Sequence, residues 1–374
     1  MPTQDVPIAR YFAGLPDPRV DRTKKHSLGD ILVITLCAVI CGADSWAEVE
    51  TFGKAKSAWL RTFLALPNGI PSHDTSHRVF ARLDPAAFGR CVAAWMAAAC
   101  DAADLRRVAI DGKACRSAPR ATFSGCLHPV SARAAENRLI LGQQAVADGS
   151  HEIAAVPELL RVPDLKGAVV TLDAAGCQKA IASQVRHQGG DYLLAVKGNR
   201  PALRRTVRAA FDRARGADFA GVEHDTHEAV GGGHGRHEVR YVTAIYGPQG
   251  LPPEWPDVAA MVLVGRERGV KGERAGAAHY YVTSHAGTAA QLGGLIRRHW
   301  AVENESHWCL DVAFREDANE TAAGHGGANL GLVRRVAASL LQQDTGEGSI
   351  KARRLKAALD GDYLAQALRG FAED

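Results

Sequence analysis

The chain has 374 residues, 46% of them hydrophobic, and a formal net charge of +4. That length allows two domains or one elaborated domain, and the apolar content excludes wholesale disorder. A charge so near balance permits nucleic-acid binding without arguing for it, so a DNA surface must come from local clustering of cations.

The 8 cysteines are scattered, with no CxxC pair, so neither a zinc knuckle nor a disulfide framework is legible. Reduced, mostly buried thiols of a cytosolic protein are expected. Asp5 and Pro7 near the start, without an early apolar core, do not read as a signal peptide. The longest apolar run, Ile31 to Ala43, is broken by Thr35 and Gly42. It is too short to span a bilayer and reads as a buried helix.

In chain order, residues 1–105 read as helical. Ser27 to Asp30 leads into the apolar run, and Asp44 or Ser45 can cap a helix carrying Trp46, Val49, Phe52 and Trp59. Pro67-Asn68-Gly69 is a turn, Asp74 is the expected N-cap of a helix with Val79, Phe80 and Leu83, and Pro85 opens the next. Short helices joined by tight turns fit either a helical packing domain or a DNA-binding module.

The texture changes at Arg106. Strands are predicted from Val108 to Lys113, Pro129 to Ala134, Arg138 to Ala147, Ala168 to Asp173 and Asp191 to Val196. Helices are predicted from Ile153 to Leu160, from Gln178 to His187, and from Pro201 to Arg215. Strands first, then strand–helix–strand, predict a mixed sheet with helices on its faces. Residues 220–284 turn β-rich again, with Gly231 to Gly235 as an expected loop and strands at Val239 to Ile245, Ala259 to Val264 and His279 to Thr283. Thr288 then starts a helical region.

That region contains LIRRHWAVENESHWCLDVAFRED, Leu295 to Asp317. At about 100° per residue, Ile296, Trp300, Glu303, His307, Leu310 and Phe314 share one face. A carboxylate amid an apolar stripe is costly unless it is paired or binds a metal. A shifted helix phase, or a Glu303–His307 hydrogen bond at i,i+4, explains Glu303 locally. A metal site explains it at longer range. Asp111 and Asp173 each end an apolar β run at a turn, and ligands of α/β sheets gather at the carboxyl ends of strands. Two aspartates there, joined by Glu303, would offer hard oxygen ligands suited to Mg²⁺ or Mn²⁺. Zinc on His299, Glu303 and His307 is disfavoured, because the histidines are two helical turns apart and HExxH is absent. Basic residues border the acids: Lys113, Lys197 and Arg200 at strand ends, Arg297 and Arg298 ahead of Glu303. Beside a metal–carboxylate centre they would hold DNA phosphates. Trp308 could stack on a base, whereas Trp300 belongs to the apolar face.

The strings VAIDGK, HPVSA, LGQQ, VTLDAAGCQ, DYLLAVKGN, YYVTS, RRHWAVENESHWCLDVAFRED and SIKARRL resemble the ISAs-type, H-repeat-associated branch of bacterial DDE insertion-sequence transposases. The similarity extends to GLPDPRVDRTKKHSLGDIL and IPSHDTSHRVFARLDPAAF, which resemble the helical associated domain of that family. The resemblance implies an α/β (mixed) fold: a ribonuclease H-like catalytic core at 106–374, with a β-rich insertion at about 201–284 and a helical tail, behind a helical N-terminal domain at 1–105. It places the family's three acids on Asp111, Asp173 and Glu303, with two divalent ions, Mg²⁺ or Mn²⁺. It implies DNA contacts by Lys113, Lys197, Asn199, Arg200, Arg297, Arg298, His299 and His307. The chain departs from related transposases in having His299, not arginine, four before Glu303, and Leu310, not lysine, seven after it. The implied activity is binding of terminal inverted repeats followed by metal-dependent strand cleavage and strand transfer; the alternative is an inactive remnant that only binds DNA. The implied partners are double-stranded DNA, as element ends and target, and a second copy in a synaptic homodimer. No membrane is involved; the implied location is the bacterial cytoplasm, at the nucleoid.

Overall fold

The computed structural model describes residues 8–101, 107–112, 128–134, 140–146, 152–161, 164–233, 236–247, 250–270, 273–319, 321 and 323–369. Six helices come first: α1 (Ile8–Tyr11), α2 (Leu28–Ile40), α3 (Trp46–Ala55), α4 (Ser57–Leu60), α5 (His73–Arg82) and α6 (Pro85–Asp101). Then follow β1 (Arg107–Gly112), β2 (His128–Ala134), β3 (Ile140–Val146), α7 (Val156–Leu159), β4 (Val169–Leu172), α8 (Lys179–His187), β5 (Asp191–Val196) and α9 (Pro201–Gly216). Two long hairpins come next, β6 (His224–Gly233) with β7 (Arg236–Tyr246), and β8 (Ala260–Val270) with β9 (Glu273–Thr283). The chain closes with α10 (Ala289–Trp308), a π turn (Cys309–Ala313), α11 (Gly326–Gln343), α12 (Ile350–Leu359) and α13 (Gly361–Leu368).

Two compact units form. The first holds Met1–Asp104, Gly112–Ala155 and Asn304–Asp374; the second holds Leu105–Asp111 and Val156–Glu303.

In the first unit, Ser27 caps α2, its Oγ accepting the Asp30 N–H at 3.0 Å. The apolar run is the buried helix expected of it, with every residue from Ile31 to Ile40 buried. Ser45, rather than Asp44, caps α3 through a reciprocal box with Glu48. The cap of α5 is Ser72, not Asp74: its Oγ accepts from the Thr75 N–H. Asp74 falls in the first turn instead, where an acid still complements the helix dipole. At the other end of α5, Asn329 donates to the carbonyls of Phe80 and Leu83 at 2.8 and 2.9 Å, satisfying acceptors the helix leaves open. Helix α11 is buried along most of its length and carries Arg334 and Arg335 inside. Arg335 forks onto buried Glu316 at 2.6 and 3.3 Å. Arg354 donates to the carbonyls of Val39 and Ala313, lies 3.6 Å from Asp44, and covers the Phe314 ring.

In the second unit seven described strands lie in the order β1-β4-β5-β9-β8-β7-β6. β1, β4 and β5 are parallel; β9 and the strands beyond it run antiparallel to their neighbours. β4 is buried throughout, with Thr171 its one polar residue, and most of β5 is apolar and buried, as strands covered on both faces must be. The mixed α/β fold is therefore as expected. Residues after α9 do not form a separate layer; β9 pairs with β5, and the two hairpins prolong the same sheet. Gly231 to Gly233, expected in a loop, are paired with β7, because ladder hydrogen bonds outweigh the weak strand preference of glycine. Helix α10 starts on a capping box between Thr288 and Gln291. Its Leu292, Leu295 and Ile296 pack on Leu193, Val242, Val262 and Tyr281. Each such burial is worth roughly 1.5–3 kcal/mol.

Candidate active site

The two aspartates are brought together by strand register. β1 and β4 are neighbouring parallel strands with Ile110 opposite Leu172, so the next residues, Asp111 and Asp173, stand level at the carboxyl ends. Adjacent strands lie about 4.8 Å apart. The Asp111 side chain, Lys113, and the side chains of Glu303 and His307 lie outside the described residues.

Asp173 is exposed and opens the loop from β4 to α8. One of its oxygens, Oδ1, accepts the Gly176 N–H at 3.1 Å, which closes the loop on itself. Glycine is required at 176 because a Cβ there would meet the Leu172 side chain at 2.5 Å. Among the described residues no cation pairs with Asp173. With Oδ1 on the loop N–H, Oδ2 is left as a hard oxygen donor of the kind that suits a divalent cation.

Asn199 and Arg200, expected to touch DNA, are turned onto this same loop. Asn199 Nδ2 donates to the Ala174 carbonyl at 2.5 Å, and Arg200 Nε donates to the Cys177 carbonyl at 2.8 Å. Both brace the segment that carries Asp173. The Ala174 carbonyl also accepts the Cys177 N–H at 3.2 Å, so Asn199 adds a second donor there, while Arg200 Nε serves the Cys177 carbonyl.

Lys197, by contrast, is exposed just past the end of β5. It lines a cleft of about 230 Å³ with Gly198, Arg204, His279, Tyr280 and Tyr281. Among the described residues its lining contains no acid. Burial, and then the Lys197 ammonium, hold His279 below its ordinary pKa, so the ring stays neutral beside the two cations.

Helix α10 crosses the sheet from one side to the other. At its start the Ala289 N–H donates to Asp225 at 2.7 Å, and Tyr246 Oη donates to the Gly287 carbonyl at 3.0 Å. Gly293 then lets the helix approach β7: a Cβ there would lie 2.8 Å from a Val242 methyl. Further on, Trp300 meets His279 edge-on with ring centres 5.2 Å apart and bonds the Tyr281 hydroxyl. Trp300 thus belongs to the packed face, as expected. Trp308, at the helix end in the first unit, is 60% exposed.

His299 is the clearest correction. It was expected on DNA, yet it is only 7% exposed, and its Nδ1 lies 3.0 Å from Thr171 Oγ1 on β4. A ring so enclosed has no face to offer a phosphate. Burial pushes its pKa down to about 4; Asp173 nearby works the other way, and Lys197 adds to the depression. Past Trp308 the α-helix gives way to the π turn, so the face drawn through Leu310 and Phe314 is not α-helical to its end. Both residues are nonetheless buried.

Burial also pushes up the thiols of Cys41 and Cys177, to about 12 each, in keeping with inert reduced cysteines. No helix among the described residues is long and apolar enough to cross a membrane.

Comparison with known proteins accounts for both halves of the chain. Residues 9–96 match the family described as DDE_Tnp_1-associated, and residues 101–326 match Transposase DDE domain. The chain is 36% identical over 372 residues to "H repeat-associated putative transposase YhhI" of Escherichia coli (strain K12), covering 97% of this chain and 98% of that one. It is 35% identical over 371 residues to "Putative transposase YncI" of Escherichia coli O157:H7, covering 97% and 94%. A shorter relative, "Inactive transposase YbfQ" of strain K12, is 43% identical over 72 residues, which is 19% of this chain and 86% of that one. Two level aspartates on parallel strands thus sit inside a match that spans more than half the chain, among relatives aligned nearly end to end, and the chain belongs to the DDE transposase family, in its H-repeat-associated, ISAs-type branch.

Proposed function

We propose that this transposase binds the terminal inverted repeats of its own element and cuts and joins DNA with Asp111, Asp173 and Glu303. The observation that carries the reading is the register that sets Asp111 level with Asp173 on adjacent parallel strands. The course of α10 supports the third acid. The helix advances over the sheet from β7 at Val242 to β4 at Thr171, and the strand beyond β4 is β1. The next turn, about 6 Å further along the axis, carries Glu303 toward the two aspartates.

Transposases of this family work with divalent metal ions. The three carboxylates would hold Mg²⁺ or Mn²⁺, which in pairs favour both the attacking and the leaving oxygen of an in-line displacement. Water attacks phosphorus at the element end, the bond to the 3′ oxygen breaks, and a 3′-hydroxyl is freed. That hydroxyl then attacks a target phosphodiester in the same manner. Lys113, Lys197, Arg297, Arg298 and His307 form the DNA-facing set, and Arg204 joins them through the cleft. Asn199 and Arg200 keep the Asp173 loop in place. The helical N-terminal region, 1–105, adds DNA contacts, and a pair of chains holds the two element ends together. The work is done in the bacterial cytoplasm, where the nucleoid lies.

Asp111→Asn, Asp173→Asn and Glu303→Gln should each abolish strand cleavage of end DNA in Mg²⁺ while leaving DNA binding intact. Cleavage by Glu303→Gln at the wild-type rate would sink the assignment. The rival reading, a remnant that only binds DNA, has the short inactive relative in its favour and the three acids against it. A strand-transfer assay on the flanking repeats separates the two.

A further inference from the structure

Each of the three elements that carry the acids contributes one group to a single chain of hydrogen bonds. Thr171 Oγ1 lies 3.5 Å from the Val108 carbonyl of β1 and 3.0 Å from His299 Nδ1 of α10. Thr171 and His299 are both buried, and Val108 beside them is buried too. A hydroxyl has one proton to give. The Val108 carbonyl can only accept; with the Thr171 proton given to it, His299 donates from Nδ1–H to Thr171 Oγ1. The order His299 N–H to Thr171 O–H to Val108 carbonyl ties α10 to β4 and β4 to β1. Asp111 lies three residues after Val108, Asp173 two after Thr171, and Glu303 four after His299.

We propose that His299 and Thr171 are positioning residues, forming a buried strut that sets Glu303 against Asp111 and Asp173. The inference rests on those three acids being the catalytic set. Rotating or sliding α10 by one residue would leave the imidazole N–H buried without its Thr171 partner. That penalty selects one seating of the helix, whereas the apolar contacts of Leu292, Leu295 and Ile296 tolerate small shifts. Catalytic geometry is sensitive at that scale: a displacement of about 1 Å can lower a rate by about 100-fold. The burial that holds the ring neutral also fits, since a protonated ring inside the sheet would compete for the carboxylates the site needs.

The test uses the full-length protein and four variants. Asparagine places its amide where the imidazole carries Nδ1; glutamine places it where Nε2 stood. His299→Asn should therefore cleave end DNA within a few fold of wild type. His299→Gln and Thr171→Val should lose roughly 10- to 100-fold in cleavage rate, with DNA affinity unchanged. A second readout does not depend on activity. In ¹⁵N spectra of the metal-free protein, the His299 ring, identified by its loss in His299→Asn, should be neutral and protonated on Nδ1. That signal should move in Thr171→Val. Equal impairment of His299→Asn and His299→Gln would reduce the residue to packing and overturn the strut, as would wild-type cleavage by Thr171→Val. Asp173→Asn is the control: if it still cleaves, the carboxylate assignment has failed, and the ¹⁵N tautomer then judges the strut alone.

Discussion

Two buried polar constructions, one in each compact unit, solve the same problem in opposite ways. In the first unit, Glu316 and Arg335 are both nearly inaccessible and meet as a forked ion pair, with Arg334 and Arg354 buried in the same neighbourhood. In the second, Thr171 and His299 are equally enclosed but carry no charge. The first arrangement fastens α11 and the π turn region, and nothing there needs a free carboxylate. The second lies two residues from Asp173, whose carboxylate is exposed and, among the described residues, has no cationic partner.

The largest expected effect comes from breaking the charged construction. Glu316→Gln removes one partner and strands the Arg335 charge, which should cost about 3–5 kcal/mol in urea unfolding. A second change, Arg335→Met, should recover much of the loss, because an apolar replacement of the whole pair carries no uncompensated charge. If Glu316→Gln unfolds at the wild-type midpoint, the pair is not what holds α11.

Acid should expose the neutral construction next. His299 has a folded pKa near 4 against an ordinary 6.5, so the unfolded chain binds the extra proton first. Its contribution is complete above pH 6.5 and is lost as pH falls toward 4, amounting to about 3 kcal/mol. Thermal melts between pH 7 and 4 should therefore fall less steeply for His299→Asn than for wild type. A parallel pair of curves would contradict the buried neutral ring.

A smaller effect is expected where α10 meets β7. Gly293→Ala puts a methyl 2.8 Å from Val242 and should destabilise by about 1–3 kcal/mol, with Val242→Ala relieving part of it. Unchanged stability would mean that the helix is not seated tightly on β7. The smallest is electrostatic. Lys197→Gln and Arg204→Gln should leave the fold alone, and each should lower the salt dependence of end-DNA binding by about one unit of slope. Unaltered slopes would take the cleft out of the DNA path.

Much of the local framework around the proposed site was legible residue by residue, because local rules reach that far. Asp111 and Asp173 end apolar runs that could only be buried strands, and parallel strands joined by a helix align their carboxyl ends. Ser27, the Ser45–Glu48 box and Pro85 mark helix starts by chemistry that acts within one turn. Where two residues could serve locally, the fold chose between them: Ser72 rather than Asp74 caps α5, and Ser45 rather than Asp44 caps α3. Lengths were harder still. β8 and β9 each run 11 residues, far beyond their apolar segments, because each is held by its partner as much as by its own composition.

What the sequence determined by itself is where the three proposed acids fall along the chain and the kind of element each sits on. Hydrophobic period and turn chemistry act between neighbours, and these features need nothing more. Tertiary structure alone decided the assignments of the polar residues around the acids. Asn199 and Arg200 look like DNA contacts in the string VKGNR, and they become braces only because the carbonyls of Ala174 and Cys177 lie within reach across the fold. His299 stands on the same helix as exposed Arg297 and Arg298, yet it turns inward because a threonine 128 residues earlier offers its ring a partner. A polar side chain is placed by whoever satisfies it, and for buried groups that partner is set by the fold, not by the neighbouring residues.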